Sequence, residues 1–258
     1  MLQRKIGGLP VTVVDTAGLI ESMRADVEKN RAGQLRRPRV VTDVNGEAVS
    51  LYASSDAYRA AYDSADVHHA DGAFIVRLSR LLPGPEIPER TATTDYIHAA
   101  AAVAQESGIS FYLLGGPEPI NRACAEELQR RYPGLRIAGR RHGYFEDREL
   151  DAIVADINAS EADVLWLGLG KPRETTLAIA LREQLRCAWI VTCGGCFHFV
   201  AGDYKRAPLW MQKRGLEWLH RMGTGPRYLI KRYATTIPHA LYLVLRNDVV
   251  PVVLRRKR

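Results

Sequence analysis

A chain of 258 residues, 47% hydrophobic and 25% charged, has the make-up of a folded globular protein and excludes a disordered or fibrous one. Four dispersed cysteines (Cys124, Cys187, Cys193, Cys196) exclude a dense disulfide framework and fit reduced thiols in a cytosolic protein. The net charge of +7 is uneven: residues 203–258 hold thirteen Lys/Arg against three Asp/Glu, whereas the remaining residues hold 23 against 26.

In chain order, Met1–Gly8 is short and polar and does not read as a secretory signal. Apolar, β-rich runs then alternate with longer helical patterns. A strand is expected at Val11–Asp15 and a helix at Ala17–Ala32, then a strand at Val40–Thr42 and a helix at Glu47–Asp63. Strand Val67–His69 precedes helix Ala73–Leu82, and helix Asp95–Glu106 precedes strand Ser110–Leu114. Helix Pro119–Arg131, strand Leu135–Ala138, helix Arg148–Asn158, strand Val164–Gly168, helix Pro172–Leu185 and strand Trp189–Thr192 complete the series. This alternation predicts an α/β fold: a mostly parallel sheet with helices on both faces. Ligands of such sheets bind at the carboxyl ends of the strands, so a functional residue is expected just after a strand.

After Thr192 the pattern becomes helical. Pro208–Met222 reads as one amphipathic helix, interrupted by Gly223, Gly225 and Pro226; further helices are expected from Arg227 to about Thr235 and from Pro238 to about Leu245. The longest apolar run, Ile237–Leu245, falls far below the roughly 20 residues of a membrane-spanning helix, so none is expected. The division predicted is a core over 1–202 and a basic helical appendage over 203–258. Basic residues interleaved with Trp210, Trp218, Tyr228, Tyr233 and Leu241 suit an anionic membrane surface better than a plain solvated face.

Several groups stand where chemistry is expected. Asp71 follows the strand Val67–His69 and could take a proton from a hydroxyl, or could cap the next helix. Gly115-Gly116, Gly168-Leu169-Gly170 and Gly194-Gly195 each follow a strand; together on one sheet edge they favour a nucleotide site over simple tight turns. Arg90 could hold a diphosphate or join a surface ion pair. Cys193-Gly194-Gly195-Cys196 has redox-pair spacing but lacks the matching context, so a glycine-rich turn is the preferred reading.

Taken together, from about Thr42 to Tyr233, the chain resembles the WecG/TagA/CpsF family of bacterial glycosyltransferases. The matching stretches are Thr42–Asn45, Ala70-Asp71-Gly72, Pro88-Glu89-Arg90, Leu113–Pro117, Gly143-Tyr144-Phe145, Gly168-Leu169-Gly170 with Pro172, Gly194-Gly195, Arg206-Ala207-Pro208, Gly215–Leu219, Arg221, Pro226-Arg227 and Arg232-Tyr233. The resemblance implies a Rossmann-like core and an inverting, metal-independent transfer, without cofactor, from a UDP-sugar to a polyprenyl-diphosphate-linked saccharide in surface or exopolysaccharide synthesis. It places Asp71 as base, with Thr42 and Arg90 at the active site. Asn45, Gly115, Gly116, Tyr144, Gly168, Gly170, Pro172, Glu174, Gly194, Gly195 and His198 fall at substrate-binding positions. Arg206, Arg214, Arg221 and Arg227 are candidates to offset charge on the leaving diphosphate. Two positions depart from the family pattern: Glu174 replaces an amide, where Arg173 or Lys171 would have to offset repulsion of a diphosphate, and His198 replaces an acid. The expected location is cytoplasmic, peripheral on the inner membrane face; a homo-oligomer is compatible with it. The rival readings are a non-catalytic partner in polysaccharide assembly and a nucleic-acid-binding module, the latter disfavoured by the acidic core, so no nucleic acid is expected.

Overall fold

The computed structural model describes residues 1–256; Lys257 and Arg258, counted in the basic tail, lie outside the described residues. The chain opens with an antiparallel hairpin, β1 (Gln3–Ile6) and β2 (Leu9–Thr12). The strand expected at Val11–Asp15 is thus part of this separate hairpin and not of the main sheet. Its last residue, Asp15, is instead the N-cap of α1 (Thr16–Arg31), accepting from the Gly18 amide at 2.7 Å.

The main sheet comprises β3 (Arg39–Val44), β4 (Val67–Ala70), β5 (Ser110–Gly115), β6 (Arg136–Arg141), β7 (Val164–Gly168) and β8 (Trp189–Thr192). Its order is β4-β3-β8-β7-β5-β6, and every pairing is parallel. β4, β5, β7 and β8 are buried along their whole length, as a sheet covered on both faces requires; β5, β7 and β8 are mainly apolar, whereas β4 buries His68 and His69. One face packs against α1, α5 (Thr93–Ser107) and α6 (Glu118–Arg131) through Met23, Tyr96, Ile97, Cys124 and Leu128. The other packs against α7 (Leu150–Ala159) and α8 (Arg173–Leu181) through Ile153, Ile157, Ala178 and Leu181. The expected Rossmann-like α/β layering is what the chain adopts.

Element boundaries differ in instructive ways. The single helix expected at Glu47–Asp63 is two, α2 (Gly46–Ser54) and α3 (Asp56–Ser64), because the Ser55 hydroxyl caps the second through the Tyr58 amide. A helix α4 (Ala73–Leu81) leads toward the site loops, and α9 (Cys196–Val200) follows β8. The amphipathic helix expected at Pro208–Met222 is broken into α10 (Leu209–Lys213) and α11 (Glu217–Thr224). Gly215 makes the break: its φ of +70° suits glycine, and a Cβ there would lie 3.2 Å from Ala73 Cβ.

The two short helices expected after Arg227 are one. α12 (Tyr228–Val244) runs through Pro238 and continues by a π-turn at Leu245–Val249 into α13 (Val250–Arg256). Segment Tyr228–Leu254 is therefore long and apolar enough to cross a membrane by length and composition, which corrects the expectation that no such helix exists. Proline inside a helix removes one backbone hydrogen bond. Tertiary contacts outweigh that loss: Ala240, Leu243 and Val244 join Ile6, Leu9, Val44 and Val49 in a third core that binds the hairpin, α2 and α12 together. Farther on, Asp248 accepts from the Gly7 amide at 2.6 Å and Asn247 donates to the Gly7 carbonyl at 3.1 Å. The helix lies along the domain, docked on α2.

Candidate active site

A cleft of about 560 Å³ opens over the carboxyl ends of β3, β4, β5, β7 and β8. Its floor is built by the residues just after those strands: Asn45, Asp71-Gly72, Gly116, Leu169–Lys171 and Cys193–Gly195. Its far wall is α11 and α12, carrying Glu217, Trp218, Arg221, Tyr228, Arg232 and Tyr233. The strand ends and the helices after Gly215 thus line one cleft, where a parallel α/β sheet places ligands.

Asp71 sits at the base of this cleft with about a quarter of its side chain exposed. It does not cap α4, whose N-cap is Gly72 without a side-chain bond. Its carboxylate instead accepts from the Thr93 amide at 3.2 Å, at the first residue of α5. Arg90 donates from Nε to the Asp71 carbonyl at 2.5 Å and brings Nη2 within 3.8 Å of Oδ1. Burial pushes the Asp71 carboxyl up, but the Arg90 charge and the Thr93 hydrogen bond outweigh it and hold it below the usual carboxylate range. The carboxylate is ionised at neutral pH and able to accept a hydroxyl proton.

Arg90 also reaches across to the appendage. Its Nη1 pairs with Glu217 of α11, whose other oxygen lies 3.5 Å from Arg206. Arg206 in turn chelates Asp95 at 2.7 and 3.2 Å. A line of alternating charges, Asp71–Arg90–Glu217–Arg206–Asp95, therefore ties the carboxylate at the cleft floor to the helical wall. Glu217 was not singled out from sequence; the available signal was that it is one of only three acids in a strongly basic segment.

A second charged group lies behind the floor. Lys171 Nζ pairs with Asp43 Oδ1 at 2.5 Å and stands 4.0 Å from Glu174 Oε1; Lys171 and Asp43 are almost fully buried and Glu174 completely so. Asp43 also accepts from Asn45 Nδ2 at 2.8 Å, and Asn45 Oδ1 caps α2 through the Ala48 amide. Burial opposes the Lys171 charge, but the Asp43 carboxylate more than offsets this and keeps the ammonium protonated. Burial pushes Glu174 up to about 7, against the pull of Lys171. Glu174 Oε2 accepts from the Gly170 amide at 2.9 Å and the Gly194 amide at 2.8 Å. Two amides that the sequence offers to a phosphate are thus taken by a carboxylate that staples the turns after β7 and β8. Lys171 is the cation that offsets Glu174. Arg173 turns away, donating to the Gly143 and Phe145 carbonyls and lying 4.6 Å over the Phe145 ring.

Of the other expected positions, Asn45, Gly116, Tyr144, Gly168, Gly170, Gly194, Gly195, His198, Arg206 and Arg221 line the cleft. Tyr144 is exposed at its mouth. His198 bonds Asp203 at 2.7 Å and stacks on Tyr204 at 4.4 Å, so a carboxylate stands next to the imidazole. Arg221 lies beside Gly195 with its guanidinium 5.1 Å over Phe199. Five expected residues lie outside the lining. Thr42 is fully buried, its hydroxyl bonded to Thr192 at 3.2 Å. Gly115 lies against the backbone of Gly168, where any Cβ would collide at 2.2 Å. Pro172 caps α8 after a cis Lys171-Pro172 bond. Arg214 stacks on Trp210 at 5.7 Å, and its carbonyl accepts from Arg77. Arg227 is the N-cap residue of α12 and is exposed. Cys193 and Cys196 are buried, and burial pushes both thiols well up, as a turn rather than a reactive redox pair requires.

An open parallel sheet with an ionised carboxylate, arginines and glycine turns along its carboxyl edge defines a Rossmann-like α/β protein built around one ligand cleft. The match to known proteins is more particular. Residues 4–251 fit the family model described as the Glycosyl transferase WecG/TagA/CpsF family, and the chain belongs to that family. The cleft is therefore the candidate site of a glycosyltransferase.

Proposed function

We propose that the protein transfers a sugar, with inversion, from a UDP-sugar to a polyprenyl-diphosphate-linked saccharide at the cytoplasmic face of the membrane, without metal or cofactor, in cell-surface or exopolysaccharide assembly. The observation that carries this reading is the ionised Asp71 carboxylate on the cleft floor beside Arg90. In the proposed step an acceptor hydroxyl attacks the anomeric carbon from the face opposite the UDP oxygen. The new C–O bond forms as the bond to UDP breaks, and the hydroxyl proton passes to Asp71. UDP leaves with the bonding electron pair, and its growing charge needs cations and amides in place of a general acid. Arg206, Arg221 and Arg232 line the cleft and supply that charge.

Asp71→Asn keeps the size of the side chain and its acceptor for the Thr93 amide but removes the base. The expected result is a fall in kcat of about 10²- to 10⁴-fold in a protein that still melts cooperatively. Near-full transfer by a folded Asp71→Asn protein would overturn the assignment. A thermal-shift screen of UDP-sugars identifies the donor, since a ligand of the native state alone raises the melting temperature.

A further inference from the structure

One stripe of α12 faces the cleft along its length. Tyr228, Arg232 and Tyr233 line it at one end, and Ile237, Ala240 and Leu241 line it at the other. The spacing is helical, so these side chains share one face. The stripe changes character along its length: aromatic and cationic where it meets α11, aliphatic toward Leu245. The aromatic end stands next to Trp218, whose ring centroid lies 6.4 Å from that of Tyr233. Trp218 directly follows Glu217, which joins the charge line to Asp71. The aliphatic end stays partly open, with Leu241 51% exposed, and runs on toward exposed Tyr242 and Leu245 beyond the cleft.

We propose that this stripe is the track of the acceptor's lipid carrier: the diphosphate and its first sugar lie at Tyr228–Tyr233, and the first isoprene units lie along Ile237–Leu241. The assignment rests on the glycosyl-transfer reading above and specifies where its acceptor runs. Three observations carry it. First, the polarity gradient matches an amphiphile whose head is a charged sugar diphosphate and whose tail is hydrocarbon. Second, the cationic end has unused donors: Nε of Arg221 and Nε of Arg232 are buried without a hydrogen-bond partner, although Arg232 Nη1 pairs with Glu47 of the cleft lining at 3.1 Å. A buried donor left unpaired is costly, and a diphosphate oxygen would satisfy it. Third, the apolar end is continuous with the outward apolar side of the same helix, so a chain leaving the cleft passes directly onto a surface suited to lipid.

The test is equilibrium binding of two probes to the full-length protein, farnesyl diphosphate and inorganic pyrophosphate. Wild type is expected to bind farnesyl diphosphate at least tenfold more tightly. Ile237→Asn combined with Leu241→Asn is expected to bring the two affinities within about twofold while leaving pyrophosphate binding unchanged. Ile230→Asn, at an exposed position of the same helix outside the cleft, is expected to keep the full preference. Equal binding of both probes by wild type, or an equal loss in Ile230→Asn, would overturn the track. If the double variant does not melt cooperatively, Leu241→Asn alone, at a half-exposed position, carries the test with at least a threefold loss of preference. Failure of the underlying reading appears separately: no UDP-sugar would then raise the melting temperature of wild type, whatever the farnesyl preference.

Discussion

At the residue scale, the buried group Asp43–Lys171–Glu174 decides how the floor of the cleft is held. Glu174 occupies a position where the resemblance leads one to expect an amide, and sequence alone made it a source of repulsion. The structure gives it a different task, because its oxygen accepts from two backbone amides on adjacent strands' turns. That task could not be read from sequence, since it depends on β7 and β8 being neighbours. The position of Asp71 was legible, because an acid just after a parallel strand falls on the ligand edge of the sheet wherever that strand lies. The Glu174 pKa also makes a stability prediction. Its carboxyl rises from 4.5 to about 7 on folding, so between those values the native state holds a proton that the unfolded chain has lost. Stability is greatest below about 4.5 on account of this group and declines as pH rises through about 7. Its contribution is on the order of 3 kcal/mol. Glu174→Gln retains an oxygen for both amides and removes the titration, so its denaturation midpoint is expected to vary less between pH 5 and 8 than that of wild type. Lys171→Met leaves two carboxylates buried without their cation and is expected to cost about 3–5 kcal/mol in urea unfolding at neutral pH.

At the element scale, β5, β7 and β8 were the most legible part, since buried strands read as apolar runs whatever they pack against. The helical segments after Thr192 were the least legible. Gly215 and Pro238 each carry a local signal for a break, yet only the first breaks a helix. Gly215 yields to a close approach by α4, whereas Pro238 is overridden by the packing of α12 on α2. Glu217 ties α11 to the sheet side of the cleft by bridging Arg90 and Arg206. Glu217→Ala removes that bridge without touching the sheet. Amide hydrogen exchange in α10 and α11 is expected to accelerate at least several-fold, with exchange in β5 and β7 unchanged. Arg90 also loses the contact that fixes it over Asp71, so transfer activity is expected to fall with it. Unchanged exchange in α11 would mean that the charge line does not hold the appendage in place.

At the scale of the whole molecule, charge and apolar exposure fall on the same part of the chain. Eleven of the fifteen large hydrophobic residues exposed among the described residues lie at or beyond Leu209. That stretch also holds eleven Lys/Arg against two Asp/Glu. Either feature alone is ordinary; together they support the proposed docking on an anionic bilayer, where each basic side chain would contribute about 1 kcal/mol and inserted apolar groups would add to it. The sequence pointed to this face through its charge, but the joined helix Tyr228–Leu254 emerges only from the fold, and with it the choice between crossing a membrane and lying on one. A crossing helix would have to release Leu229, Ala240, Leu243 and Val244 from buried contacts and the Asp248 and Asn247 bonds to Gly7. A helix lying at the surface keeps all of them and presents only its outer side. Flotation with vesicles is therefore expected to be strong for anionic lipid, weak for neutral lipid, and lost progressively as salt screens the basic side chains. Trp210→Ser with Leu219→Ser removes two half-exposed apolar groups outside the cleft. At roughly 1 kcal/mol for the remaining exposed part of each, partitioning is expected to drop about thirtyfold while UDP-sugar binding stays unchanged. Extraction by high salt in place of detergent distinguishes the two placements, because a docked helix is released when the charges are screened and a spanning one is not.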